Sequence, residues 1–98
     1  MMSKQRLILT IAPSLEDELV DYLVSLETVG GFTSYPVRGY GEKRQLSIAE
    51  QVTGRQKRVQ FELILPAEAI PPLLDGLREQ VGSEIFYWYQ DVNGSGRL

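Results

Sequence analysis

The chain has 98 residues, 43% of them hydrophobic and 23% charged, with a formal net charge of -3. That length holds one domain with a modest core, and the composition excludes both disorder and a fibre. With no cysteine and no histidine, disulfides, thiolate chemistry and imidazole-based catalytic or transition-metal sites are ruled out, leaving only carboxylate and carbonyl oxygens as metal ligands.

Residues 5–12 alternate as a strand, with Leu7, Leu9 and Ile11 on one face and Ile8, Thr10 and Ala12 on the other. Pro13 ends it. Ser14 is placed to cap a helix whose first turn holds Glu16, Asp17 and Glu18, where the helix dipole favours negative charge. Leu15, Leu19, Tyr22, Leu23 and Leu26 then recur at helical spacing, and Gly30-Gly31 is the expected stop. A second strand spans about 32–38, with Pro36 marking an edge position or a bulge.

The third strand has the clearest period. Val59, Phe61, Leu63 and Leu65 share one face, opposite Gln60, Glu62 and Ile64, and Pro66 closes the run. A second helix carries Leu73, Leu74, Leu77 and Val81 on its buried side, with Pro71 and Pro72 before it or in its first turn. A last strand, roughly 83–92, is crowded with Phe86, Tyr87, Trp88 and Tyr89, and residues 93–98 read as a flexible tail. Strand, helix, strand, strand, helix, strand predicts an α+β fold, a ferredoxin-like βαββαβ sandwich over residues 1–92 with both helices on one face of the sheet. Ile8, Thr10, Gln60, Glu62 and Ile64 then fall on the face that the helices leave open, a candidate oligomer surface.

The connection from Gly39 to Gly54 is the anomaly. Hairpins usually need about 2–5 residues, and this one is far longer. Of the ten lysines and arginines, Arg38, Lys43, Arg44, Arg55, Lys57 and Arg58 all fall between positions 38 and 58, with only Glu42 and Glu50 of the thirteen acids. An acidic chain has gathered its positive charge at one loop and its roots, as attraction of an anionic ligand or partner requires. The plainer reading is a solvated loop kept soluble by charge. Within it, Ser47-Ile48-Ala49-Glu50 has capping-box spacing, so residues 46–53 are expected to form a short helix offering Ile48, Ala49 and Val52 for docking. Gly39-Tyr40-Gly41 stands at its start, where glycine lets backbone amides approach a phosphate or simply makes a turn.

Gly31-Phe32-Thr33, Val37-Arg38-Gly39-Tyr40-Gly41, the long loop and Arg58-Val59-Gln60-Phe61-Glu62 together resemble the second strand, T-loop and third strand of PII nitrogen-regulatory signalling proteins. The likeness spans about residues 5–90 and is nearest a small bacterial branch of PII-like proteins; the CutA group shares the fold. It implies a homotrimer whose inter-subunit clefts bind an adenine nucleotide or similar effector, with a T-loop-like segment at 39–54 acting on a membrane transporter or an enzyme. Carried over by position, Thr33, Gly39, Tyr40, Gly41 and Arg58 would belong to the effector site, with Arg38 beside them; the partner-binding loop would take Lys43, Arg44, Arg55 and Lys57 from the charge map and Ile48 and Val52 from the expected helix. The chain departs from the family before the last strand. Val81-Gly82-Ser83-Glu84 stands where a glycine-rich, lysine-bearing phosphate loop belongs, and the C-terminal arginines are reduced to Arg97.

The expectation is therefore a non-enzymatic cytoplasmic regulator. The alternative is a CutA-like protein linked to divalent-metal tolerance or metal efflux, with carboxylates such as Glu50, Glu62 or Asp91 as the available ligands. No apolar run is long enough to cross a bilayer and no signal-peptide pattern opens the chain, so no direct membrane insertion is expected. Nucleic-acid binding is disfavoured by the acidic balance and by the lack of aromatics on the open face of the first and third strands. Ala12-Pro13-Ser14 lacks the arginine-bearing phosphate loop of acylphosphatases, which share the topology.

Overall fold

The computed structural model describes residues 3–40 and 55–98. Strand β1 (Lys4–Ile11) leads through a single 3-10 turn (Pro13–Leu15) into helix α1 (Glu16–Val24). Strands β2 (Thr33–Tyr40) and β3 (Arg55–Pro66) follow, then a second 3-10 turn (Ala67–Ala69), helix α2 (Ile70–Gln80) and strand β4 (Phe86–Val92). All pairings are antiparallel and the sheet order is β2-β3-β1-β4. This is the expected ferredoxin-like arrangement.

The period-2 pattern sets which face is buried. Leu7, Leu9 and Ile11 pair in register with Leu63, Phe61 and Val59, and these six join Leu19, Tyr22 and Leu23 of α1 and Ile70, Leu73 and Leu77 of α2 in one core. Leu15, Leu26, Leu74 and Val81 pack at its margin, half-buried. The opposite face carries Arg6, Ile8 and Thr10 beside Gln60, Glu62 and Ile64, as the alternation requires. Ile8 is fully buried there although it lies outside the core cluster.

Local chemistry accounts for most boundaries and corrects three. Ser14 does not cap α1: it sits inside the 3-10 turn, and the N-cap is Leu15 without a side-chain cap bond. The acidic first turn is present as read. Gly30-Gly31 does not stop α1, which ends at Val24, where Ser25 Oγ donates to the Tyr22 carbonyl at 2.6 Å. The strands flanking the long connection run further than their sequence pattern suggests, to Tyr40 and back to Arg55, so the segment between them is 41–54. The short helix expected at 46–53 lies outside the described residues, as do Gly41, Lys43, Arg44, Ile48 and Val52. Pro36 sits on β2 at the sheet edge, where its missing N–H costs no ladder bond. Proline occupies the first turn of α2, as its geometry demands. That helix closes on Gly82, whose amide reaches the Leu77 carbonyl at 3.1 Å and whose φ of 153° is one that other residues rarely adopt.

Candidate functional site

At the start of β2, the half-buried Phe32 ring packs tilted on Phe61, with centroids 5.9 Å apart. This anchors Gly30-Gly31-Phe32-Thr33 against the end of β3, because Thr33 pairs in register with Glu62. Here a cavity of about 470 Å³ opens, walled by Gly30, Gly31, Thr33, Glu62 and Ile64 on the β2–β3 side. Lys4 and Arg6 of β1 and Ser95-Gly96-Arg97 of the C-terminal segment complete it.

The charge at this cavity is its most specific feature. Six of the ten basic residues belong to the loop region, which leaves four elsewhere, against eleven of the thirteen acids. Three of those four, Lys4, Arg6 and Arg97, line this one cavity; the fourth, Arg78, pairs with Asp75 on α2 at 3.7 Å. Local positive charge in an acidic body draws anions.

Among the described residues Glu62 is the one acid lining the cavity, and it is held on two sides. Arg6 Nη2 donates to Glu62 Oε1 in an ion pair, and Tyr35 Oη donates to the same oxygen at 2.8 Å. Gln60 Nε2 in turn donates to Tyr35 Oη at 2.7 Å. The Tyr35 hydroxyl bond, followed by the bond and charge of Arg6, outweighs desolvation and lowers the Glu62 pKa below its ordinary value. The same bond, with some desolvation and the Glu62 charge, raises the pKa of Tyr35. On its other side, the Arg6 guanidinium lies 5.4 Å from the Trp88 ring centroid, a cation–π distance. A polar chain thus crosses the open face from Trp88 on β4 through Arg6 and Glu62 to Tyr35 on β2.

The glycine wall is open. A Cβ built at Gly30 or Gly31 meets no atom within 4 Å, and neither residue has a positive φ. Packing and backbone conformation therefore leave both positions free to carry a side chain.

The second basic centre lies at the far end of the β2–β3 hairpin. Gly39 faces Gln56, where an added Cβ would stand 3.4 Å from Gln56 Oε1. Gln56 is buried, and its Nε2 has no hydrogen-bond partner among the described residues. Arg58 shares the open face with Gly39 but turns its Nη1 to the Lys57 carbonyl at 2.7 Å. Arg38 and the exposed Tyr40, whose ladder partners are Lys57 and Arg55, lie on the helix side of the sheet.

The residues expected to form one effector site are thus divided. Thr33 stands at the cavity, while Arg38, Gly39, Tyr40 and Arg58 stand at the loop root. Thr33 and Gly39 are six positions apart along β2, roughly 20 Å, beyond the reach of one small ligand's anionic end. Lys4, Arg6, Glu62 and Gly30 were not singled out for this role by the sequence. For Lys4 and Arg6 the one signal in the sequence was the scarcity of cations outside the loop. Among the described residues, no group of three or more His, Cys, Asp or Glu side chains is placed to hold a metal, and no helix is long and apolar enough to cross a membrane.

A family model described as "Protein of unknown function (DUF3240)" matches residues 1–98. A crystal structure of a DUF3240 family protein from Shewanella baltica OS155 superposes with a TM-score of 0.82 at 25% identity, covering 100% of this chain and 99% of that one. A candidate PII-like signalling protein from Thermus thermophilus superposes with a TM-score of 0.66 at 20% identity, covering 93% and 88%. The resemblance read from the residues therefore holds at the level of fold. No curated protein matches the sequence significantly.

Proposed function

The chain belongs to the DUF3240 family, and we propose that it is a PII-like regulatory protein without catalytic activity, binding a small anionic effector such as an adenine nucleotide. The observation that carries this reading is the convergence of Lys4, Arg6 and Arg97 on one cavity of an otherwise acidic body. Its glycine wall supports the same reading. Gly30 and Gly31 are free of packing demands, and a ligand lying against the backbone is a physical reason for having no side chain there.

The separation of Thr33 from the loop root bears on assembly. A site that uses both centres takes them from different copies, as in the homotrimer that the resemblance implies. The open sheet face, with Ile64, Phe86 and Trp88 exposed, is the surface such copies would cover. The basic loop would then engage a target, a transporter or an enzyme, once the effector has bound.

The test is titration calorimetry of the full chain against adenine nucleotides, pyrophosphate and small carboxylates, paired with sedimentation. Arg97→Gln is expected to weaken effector binding about tenfold, the loss of one charge-assisted hydrogen bond. Absence of heat with every compound would overturn the effector reading, and a monomer at all concentrations would overturn the shared cleft.

A further inference from the structure

Arg6 is the one side chain that belongs at once to the cavity wall, to the ion pair with Glu62 and to the Trp88 contact. It lies on β1 opposite Ile64 and Gln90, yet its guanidinium reaches two positions along the strand, to the level of Ile8. There it bridges the two residues that flank Ile8 in register, Glu62 and Trp88. That bridge helps explain why Ile8 is fully buried on a face that no helix covers.

Both of the contacts holding Arg6 are of the weak class. In a single copy the side chains of Arg6 and Glu62 retain 33% and 28% of their exposure, so solvent screens the pair there. A cation–π contact beside it at a partly exposed ring adds little. A phosphate group brings up to two charges and several acceptor oxygens, whereas Glu62 offers one carboxylate already shared with Tyr35. In a direct exchange for a guanidinium fork, the phosphate is the stronger partner.

We propose that Arg6 is the residue that reads a phosphate-bearing ligand in the cavity and relays its presence to the sheet face. On binding, Arg6 exchanges Glu62 for phosphate oxygens and leaves the Trp88 ring. Glu62 stays on the Tyr35 hydroxyl, and the cover over Ile8 opens toward β4. The cavity and the open face are coupled through one side chain. This rests on the effector reading above and adds to it the ligand class and the route of the signal.

Trp88 is the only tryptophan, so its fluorescence reports the step directly. Pyrophosphate and ATP are titrated into the full chain, with calorimetry and Trp88 emission followed on the same samples. The expected result is an emission change that saturates with the heat, and that is lost in Arg6→Gln while weakened binding persists. Glu62→Gln removes the competitor and should tighten binding, by up to about fivefold if an exposed pair is being broken. Because Glu62 itself lines the cavity, losing its charge favours an anion in any case, so the readout that separates the relay from a structural role is the loss of the emission change in Arg6→Gln. Heat without a change in emission, or an emission change that survives Arg6→Gln, overturns the relay and leaves the effector reading standing. Should Arg6→Gln fail to fold, unchanged or weaker binding in Glu62→Gln still overturns the relay. No heat with either compound overturns the relay, while the effector reading falls only if the other nucleotides and the small carboxylates also give none.

Discussion

Helix α2 contains Gly76 where α1 crosses it, and the reason is the Tyr22 hydroxyl. Tyr22 is buried and donates to the Leu73 carbonyl at 2.8 Å. A Cβ at position 76 would overlap the Tyr22 hydroxyl oxygen outright and lie 3.2 Å from Cζ and 3.3 Å from Cε1. Gly76→Ala therefore combines two opposed effects. The helix gains about 1 kcal/mol in propensity, while forcing a packed ring aside costs about 1–3 kcal/mol. The net expectation is a loss of roughly 1 kcal/mol. Tyr22→Phe alone should cost about 1 kcal/mol, one buried hydrogen bond, since Leu73 O can still accept within the helix. In the Tyr22→Phe background the overlapping atom is gone, so Gly76→Ala should turn neutral or stabilising. The coupling between the two substitutions is then about 1–2 kcal/mol, within the range for residues in contact. Urea unfolding of the four proteins at neutral pH measures it. Additive effects would refute the reasoning, because the penalty at position 76 would then come from something other than the Tyr22 hydroxyl.

The Glu62 pKa is lowered in the folded chain, so its contribution is fully present above the ordinary value of 4.5 and is lost as pH falls through the folded value. Tyr35→Phe removes the largest cause of that shift and should flatten the fall of stability with acidification, measured by urea unfolding at neutral and acid pH. The Tyr22 pKa is raised, first by burial and then by Asp75 and Glu79, so its contribution is intact below 10.0 and is lost as pH rises through the folded value. Wild type should lose stability on strong alkalinisation more steeply than Tyr22→Phe. Gly31→Ala should change stability by no more than about 0.5 kcal/mol, since nothing stands near its Cβ, yet weaken effector binding in calorimetry; equal affinity would show that the wall is not used. Mixing Arg97→Gln with Arg58→Gln copies should restore binding at about a quarter of the sites if each site draws on two copies of a symmetric assembly; binding no better than the average of the two unmixed variants would show that no site combines the two centres.

How much of this was legible in the sequence depended on periodicity. Val59, Phe61, Leu63 and Leu65 could only be a strand with one buried face, and Leu7, Leu9 and Ile11 supplied its partner in register. From these the order of elements and the open face followed; Pro36 was open between an edge position and a bulge until the sheet order put β2 at the edge. Boundaries that depend on side-chain detail did not. Ser14 has the right chemistry for a cap, but Pro13 draws it into a 3-10 turn, so the helix starts two residues later without it. The glycine pair after α1 looks like a stop, whereas the helix ends six residues earlier through the Ser25 back-bond to Tyr22. Neither outcome follows from residue type alone.

The cavity was illegible for a different reason. Lys4, Arg6, Glu62 and Arg97 are distributed from one end of the chain to the other, and no local spacing links them. The antiparallel pairing does so, because it sets Lys4 opposite both Pro66 and Val92, which brings the end of β3 and the exit of β4 to the start of β1. The basic loop drew attention because its cations are contiguous; the cavity's are contiguous only in space. Charge scarcity is the signal that would have found them. When six of ten cations are accounted for by one segment, the remaining four in a body of eleven acids each need a reason. Three of them prove to share a single cavity. The loop and the cavity are therefore two separate concentrations of positive charge at opposite ends of one hairpin, and any account of the effector has to say which of them it touches first.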